Sequence, residues 1–264
     1  MLSTQISQDL ISTLALRARG NRTSQLFDNA ASLLANQLGL DTVQALNTKE
    51  QAALQRSEWL DRQVIDFLKQ YPKALGIELG AGVSTRFHRI SNTLAWPQFR
   101  WADINTPETH AFSQSLLPIT DNYRSIGCDM YQHDWLFRAG WQPGLPLLIV
   151  LESPAACESR ELAQLLKALR SRVTQCDSPL HIVASYDARA NTALTATLNA
   201  LQPTAYIAFE TSWARTLVSK VLALLGAQSP FPQWRGQSVR DEGDKSKSRL
   251  HAHPPKQSAP PGKH

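Results

Sequence analysis

Over the first seventy residues, apolar positions recur at helical intervals. Ile6, Leu10, Leu14 and Ala18 stand four apart, and Ile11 and Ala15 widen the stripe, which predicts an amphipathic helix ending near Gly20-Asn21. Thr23 or Ser24 offers the N-cap of a second helix through Leu38. Its apolar side carries Leu26, Phe27, Ala30, Leu33, Leu34 and Leu38, and Gly39 is its stop. A third helical piece begins at Thr48-Lys49-Glu50. A fourth helix spans about Ser57 to Tyr71, burying Leu60, Val64, Phe67 and Leu68 before Pro72 closes it.

From Ala74 the pattern changes to short apolar runs separated by helical or turn segments. Strands are expected at Ala74 to Leu79, Phe99 to Ala102, Tyr123 to Gly127, Leu147 to Leu151 and Leu180 to Ser185, with helices near Ser84 to Ser91, Pro107 to Leu116 and Arg160 to Val173. Leu147-Leu148-Ile149-Val150-Leu151 shows no polar alternation, as a strand covered on both faces requires. Alternating strands and helices predict an α/β chain, a Rossmann-like doubly wound and mostly parallel sheet with its ligand at the carboxyl ends of the strands. Residues 1–72 would form an N-terminal helical cap, a lid over the site, and 73–227 the core. Thr192 to Leu201 reads as a helix and Ala205 to Glu210 as a strand, while Ser219 to Leu225 reads as either. In 228–264, Pro, Ser, Lys, His and Gly dominate, which predicts a disordered basic tail.

Charge sharpens that division. The formal net charge is +5, yet Arg235 to His264 holds seven Lys/Arg against three Asp/Glu, so the body is near +1. Such a body offers no basic groove for nucleic acid, and a small-molecule partner is expected instead. Cys128, Cys157 and Cys176 are too few for a disulfide framework or a zinc site, pointing to a reducing, cytoplasmic setting and to no metal. No run approaches about 18 apolar residues, so no membrane span is expected. His251 and His253 in the tail read as a solvated pair.

The candidate chemistry gathers at Leu75-Gly76-Ile77-Glu78-Leu79-Gly80-Ala81-Gly82-Val83-Ser84-Thr85-Arg86. An apolar run that stops at two glycines reads as a buried strand entering a tight turn where backbone can approach a ligand. The turn and following helix start should present unpaired amides to a phosphate, a carboxylate or sugar hydroxyls. Asp103 follows the next apolar strand, about 20 residues downstream, where an acidic residue meets a ribose diol in nucleotide-binding units. Glu78, Asp103, Asp129, Glu152 and Asp187 all recur at expected strand ends. Such acids suit a cationic ligand rich in hydroxyl and amino donors, as S-adenosylmethionine is. Its carboxylate needs a basic partner, for which Arg56 is placed near the sheet's mouth.

The segments Arg56-Ser57-Glu58-Trp59-Leu60-Asp61, Leu79 to Arg86, Trp101-Ala102-Asp103, Gly127-Cys128-Asp129-Met130 and Leu148-Ile149-Val150-Leu151-Glu152 resemble, in order, the leucine carboxyl methyltransferase family, which includes O-methyltransferases of polyketide pathways. The resemblance covers about residues 10 to 175. It implies S-adenosylmethionine as cofactor, with Arg56 on its carboxylate, Gly80 and Gly82 against it, Asp103 on the ribose, Asp129 and Met130 framing adenine, and Glu152 near the methionyl ammonium. Arg17, or Arg19, falls near a further basic residue of the family. Ser84 stands where that family has Asp in Gly-x-Asp-Thr-Arg, Ala102 replaces a Glu, and Cys157 a Tyr.

The reading that results is an S-adenosylmethionine-dependent O-methyltransferase for a small-molecule hydroxyl or carboxylate. A carboxylate acceptor is already ionised and needs no base. A hydroxyl would need one, and Asp187, Glu152 and His133 are candidates. The alternative, suggested by Ser84, Ala102 and Cys157, is a methyltransferase-like binding or regulatory module without turnover.

Overall fold

The structure, a computed structural model, describes residues 4–23, 26–95, 98–132, 134–152, 159–187, 192–201, 204–209 and 237–238. Three helices come first: α1 (Thr4–Arg22), α2 (Asn29–Gln37) and α3 (Thr48–Gln70). The two helical pieces expected after Thr48 are one helix, because residues 51–57 contain no breaker and continue the turn. It starts at a capping box in which Asn47 accepts from the Glu50 amide and Glu50 accepts from the Asn47 amide. The N-cap of α2 is Asp28, whose Oδ1 accepts from the Ala31 amide at 2.9 Å, in place of Thr23 or Ser24. With the helix starting there, Phe27 and Leu33 leave the apolar side and are 76% and 70% exposed.

The sheet then alternates with helices: β1 (Leu75–Leu79), α4 (Arg86–Thr93), β2 (Arg100–Asn105), α5 (Pro107–Leu116), β3 (Tyr123–Gly127), α6 (Trp135–Arg138), β4 (Leu147–Glu152), α7 (Ser159–Thr174), β5 (Leu180–Asp187), α8 (Thr192–Ala200), β6 (Thr204–Phe209) and β7 (Gln237–Ser238). Its order is β3-β2-β1-β4-β5-β6-β7, with the first six strands parallel and β7 antiparallel to β6. This is the Rossmann-like, doubly wound sheet expected. The chain reverses direction across it between β1 and β4, the switch point where such sheets bind ligands. Gln237 and Ser238, assigned to the tail by composition, pair with Tyr206 and Ala205.

Strand alternation sends successive side chains to two different cores. Leu75, Ile77, Ile149, Leu151 and Ile182 meet Trp135 of α6, Leu162, Leu166 and Leu169 of α7 and Leu194 and Leu198 of α8. Trp101, Tyr123, Leu148, Val150 and Val183 meet Leu14 of α1, Ala31 of α2, Leu60, Val64 and Phe67 of α3 and Phe87 of α4. The second face also carries Glu78, Asp103 and Glu152. α3 crosses it with its C-terminal end over the strand starts, where Phe67 stacks on His181 at 5.6 Å, and its middle, at Arg56 and Asp61, over the strand ends.

Candidate functional site

The carboxyl ends of β1, β2 and β4 bring the glycine turn, Asn105 and Glu152 together beneath α1 and α3. Gly80 and Gly82 both hold left-handed backbone, φ +66° and +63°, which glycine adopts without a Cβ penalty. The turn differs from its expected open state. The Gly80 amide donates to the Ile104 carbonyl at 2.8 Å and the Gly82 amide to Asn105 Oδ1 at 2.7 Å, while Asn105 Nδ2 donates back to the Gly82 carbonyl at 3.1 Å. Two amides expected to be free are therefore used to shape the turn. A Cβ at Gly82 would lie 2.8 Å from Leu10 Cδ2, and one at Gly80 3.5 Å from Met130 Cε, so α1 and the segment after β3 both lie against it.

Asp103 is not at the sheet's edge. β2 continues through Asp103 to Asn105, and this places the acid inside the second face, 1% exposed. Its oxygens accept from Trp101 Nε1 at 2.9 Å and the Tyr123 hydroxyl at 2.7 Å. Burial first, then the charge of Glu78 directly across on β1, push its pKa up to about 8 against those two hydrogen bonds. Burial and the adjacent Asp103 likewise raise Tyr123. Glu78 also lies within the sheet, so of the acids expected at the edge, the described side chains leave Asp129 and Glu152 there. Asp187 ends β5, and its side chain lies outside the described residues, as do His133 and Cys157.

Arg86, at the start of α4, is fully buried and joins three acids. Its guanidinium donates to Asp61 Oδ1 at 2.8 Å, to Glu152 Oε2 at 2.7 Å and to Glu78 Oε1, whose second oxygen accepts from Ser84 at 2.8 Å. One turn on, Arg89 donates to both oxygens of Asp61, at 2.7 and 3.0 Å, and to Asp28 at 2.8 Å, while Thr85 donates to the same Asp28 oxygen at 2.5 Å. Burial opposes the Arg86 charge, but Glu78, Glu152 and Asp61 outweigh it and raise its pKa. Burial would raise Glu152 too, yet Arg86, Arg17 and Arg89 bring it down to about 2. Glu152, its side chain 18% exposed, is thus a fixed anion at the mouth. Arg17 of α1 reaches it at 3.2 Å and donates its other nitrogen to the Val83 carbonyl at 3.1 Å.

Arg56, half-buried on α3, lies close enough to Glu152 for that carboxylate to support its charge, while burial pulls its pKa down. Beside it on α3, Ser57 is buried, and Ser185, paired in register with Glu152, is buried too. Neither hydroxyl has a partner among the described residues. Asp129 is exposed, its Oδ1 accepting from the Tyr131 amide at 2.9 Å, and the Met130 carbonyl accepts from Trp135 Nε1 at 2.7 Å. A cleft of about 450 Å3 lined by Asp129, Tyr131, Glu161, Gln164, Leu165 and Ala168 opens next to them.

The structure therefore brings Arg56, Gly80, Gly82, Met130 and Glu152 to one edge, with Asp129 at its rim and Asp103 beneath it. Sequence reasoning missed Asn105, Asp61, Asp28 and the roles of Arg86 and Arg89. Asn105 had a signal, since Ile104 resumes the apolar pattern past Asp103 and Thr106-Pro107 then opens a helix, which leaves Asn105 at the strand end. Among the described residues no cluster of His, Cys, Asp and Glu could hold a metal ion, and no helix is long and apolar enough to cross a membrane.

No family model matches the chain and no curated protein matches it, so the family resemblance stands on the residues quoted for it. Solved structures similar to it include a methyltransferase candidate from Thermobifida fusca YX, 14% identical over 79% of this chain and 72% of that one, TM-score 0.36. The plantazolicin methyltransferase BpumL in complex with SAH is 14% identical over 86% and 68%, TM-score 0.34. Human N-acetylserotonin methyltransferase in complex with SAM is 13% identical over 59% and 45%, TM-score 0.31. Likenesses this faint do not bear on ligand or activity, which rest on the chain's own residues.

Proposed function

We propose that the chain is an S-adenosylmethionine-dependent methyltransferase of the class I type, related to leucine carboxyl methyltransferases and acting on the oxygen of a small-molecule hydroxyl or carboxylate. The observation that carries this reading is the pairing of a cation and a fixed anion, Arg56 and Glu152, beside a two-glycine turn at the switch point between β1 and β4. A zwitterionic amino-acid end fits such a pair, its carboxylate on Arg56 and its ammonium on Glu152. When bound, the cofactor supplies an electrophilic sulfonium methyl group.

The remaining roles belong to this chain's side chains. Gly80 and Gly82 place no side chain of their own between the turn and a ligand, and Asn105 stands at the strand end where a ribose would lie, with Asp103 behind it. Asp129 and Met130 flank the base, and the cleft beside Asp129 supports that placement. Glu152 is held ionised by arginines and is a poor proton acceptor at neutral pH. A carboxylate acceptor needs no base, and a hydroxyl acceptor would turn to Asp187 or His133. Positioning and exclusion of water by α1 and α3 would supply most of the rate.

Calorimetry with S-adenosylmethionine tests the reading. Binding should weaken at least about tenfold in Arg56→Ala, the loss of one charge-assisted contact. No binding to the wild type would refute it. The second reading, a binding module without turnover, is favoured by Leu10 and Met130 lying over the two glycines and by Ser84, whose hydroxyl serves Glu78. Transfer of a radiolabelled methyl group to any component of a metabolite extract would exclude it.

A further inference from the structure

Four arginines and four carboxylates meet beneath the cap: Arg17, Arg56, Arg86 and Arg89 against Asp28, Asp61, Glu78 and Glu152. Asp103, its pKa raised by burial, is mostly protonated at neutral pH, and burial holds His88 below its usual range, so neither disturbs the balance. Three of the arginines sit on α3 or α4, elements packed on the sheet. Arg17 alone comes from α1, and it is 6% exposed. α1 also sets Leu10 against Gly82, on the turn a ligand must reach.

Withdrawing Arg17 would leave the four carboxylates facing three arginines, one positive charge short at the Glu152 end, where Arg86 and Arg56 remain. Beside it the buried Ser185 hydroxyl, without a partner among the described residues, faces the same side of the sheet and is free to take a hydrogen bond from an incoming group. A ligand that restores neutrality there must carry one net positive charge.

We propose that Arg17 is an internal occupant of the cation subsite at Glu152, and that a monocationic ligand enters by displacing it, so that binding and the shift of α1 off the glycine turn are one event. The proposal rests on the methyltransferase reading for its ligand. It goes beyond that reading in giving Arg17 the sign of a competitor, whereas a basic residue that held the cofactor carboxylate would have the opposite sign. It also carries a selectivity. S-adenosylmethionine bears one net positive charge and its product, the thioether S-adenosylhomocysteine, bears none, so the product fails to replace the Arg17 charge and α1 returns.

The probes are sinefungin, an unreactive analogue that keeps the positive charge, and S-adenosylhomocysteine, which lacks it. By calorimetry Arg17→Gln should bind sinefungin at least about fivefold tighter than the wild type, the lower end of usual coupling between sites, and strengthen S-adenosylhomocysteine by a clearly smaller factor, since release of α1 helps both ligands and only sinefungin replaces the charge. Leu10→Ala, which loosens α1 without changing charge, should strengthen both ligands alike. Position is read separately through Leu10→Cys, by alkylation of that peptide followed by mass spectrometry. Sinefungin should speed its modification, and so should adding Arg17→Gln without ligand. Weaker or unchanged sinefungin binding in Arg17→Gln, or slower alkylation with sinefungin, overturns the proposal. Should no form bind either ligand, the methyltransferase reading fails. Faster alkylation with Arg17→Gln would still support Arg17 as the tie holding α1, and unchanged alkylation would remove that too.

Discussion

The two faces of the sheet are built from alternate residues of the same strands, yet they differ in kind. Beneath α6, α7 and α8 the contacts are aliphatic and aromatic. Every buried Asp, Glu and Arg side chain among the described residues lies on the other side, with α1 to α4: Arg17, Asp28, Asp61, Glu78, Arg86, Arg89 and the largely protonated Asp103. Burying ions is costly unless each is paired, and a paired network often stabilises no more than apolar residues of the same volume would. Its concentration on one face, reaching the open end of the sheet at Glu152, therefore fits the proposed ligand site better than a gain in stability. The aliphatic face holds the sheet together, and the charged face holds the edge residues in one geometry.

The sharpest way to break this contrast is one deletion on each face. Arg86→Met removes the cation shared by Glu78, Asp61 and Glu152 and leaves buried carboxylates facing one another, a loss of about 3–5 kcal/mol or failure to fold. Leu166→Ala, on the aliphatic side, opens a cavity and should cost about 2–5 kcal/mol. Salt separates the two in urea melts, because screening reaches a charge network with an exposed edge and not a methyl-lined core. The stability deficit of Arg86→Met should change between low and high salt while that of Leu166→Ala stays constant. Equal salt responses would show that the charged face is held by packing alone.

The aliphatic face was the legible one. Leu147 to Leu151 reads as a strand because an unbroken apolar run has few other uses, and Leu180 to Ser185, interrupted by His181, reads alike. On the charged side only local signals were readable, such as Pro107 at the first turn of α5, whose Phe112 and Leu116 pack there. The charged face was written in pairs far apart in sequence. Arg89 finds Asp61 and Asp28 from 28 and 61 residues away, and no periodicity marks such partners. Asp103 was misplaced for a related reason. The apolar pattern Phe99 to Ala102 ends before Asp103, but Trp101 and Tyr123 supply the donors that let the strand continue through it inside the sheet. Glu152 was read at the edge where it stands, because the apolar run of β4 ends there.

A smaller effect separates the faces by pH. Asp103 is raised in the folded chain, so it keeps a proton that the unfolded chain releases near about 3.9. Its contribution is present below that value and is lost as pH rises toward about 8. Glu152 is lowered to about 2 and works the other way, its contribution present at neutral pH and lost only as pH falls toward that value. Between about pH 6.5 and 8 the Asp103 linkage acts with a slope of up to about 1.4 kcal/mol per pH unit, while below about 6.5 His181, lowered to about 4 by desolvation, gives the opposite slope. Asp103→Asn keeps an acceptor for Trp101 Nε1, turns an N–H toward the Tyr123 oxygen and does not titrate, so its unfolding free energy should fall less steeply over that range. Parallel profiles for mutant and wild type would place the linked proton elsewhere.

The smallest effects test how completely the charged face is satisfied. Ser84 donates to Glu78 and its oxygen accepts from the Arg86 amide at 3.3 Å, so Ser84→Ala should cost about 1–3 kcal/mol by stripping a buried carboxylate of a donor. Ser185 sits on the same face, equally buried, with no partner among the described residues. Its hydroxyl makes no hydrogen bond to a described residue, so Ser185→Ala should be neutral within about 0.5 kcal/mol or slightly stabilising. The two substitutions remove the same atom from the same face, so the difference between their melts isolates the network's contribution at Glu78. A Ser185→Ala cost as large as that of Ser84→Ala would mean that a partner already satisfies Ser185, and that the mouth beside Glu152 is as closed as the rest of the network.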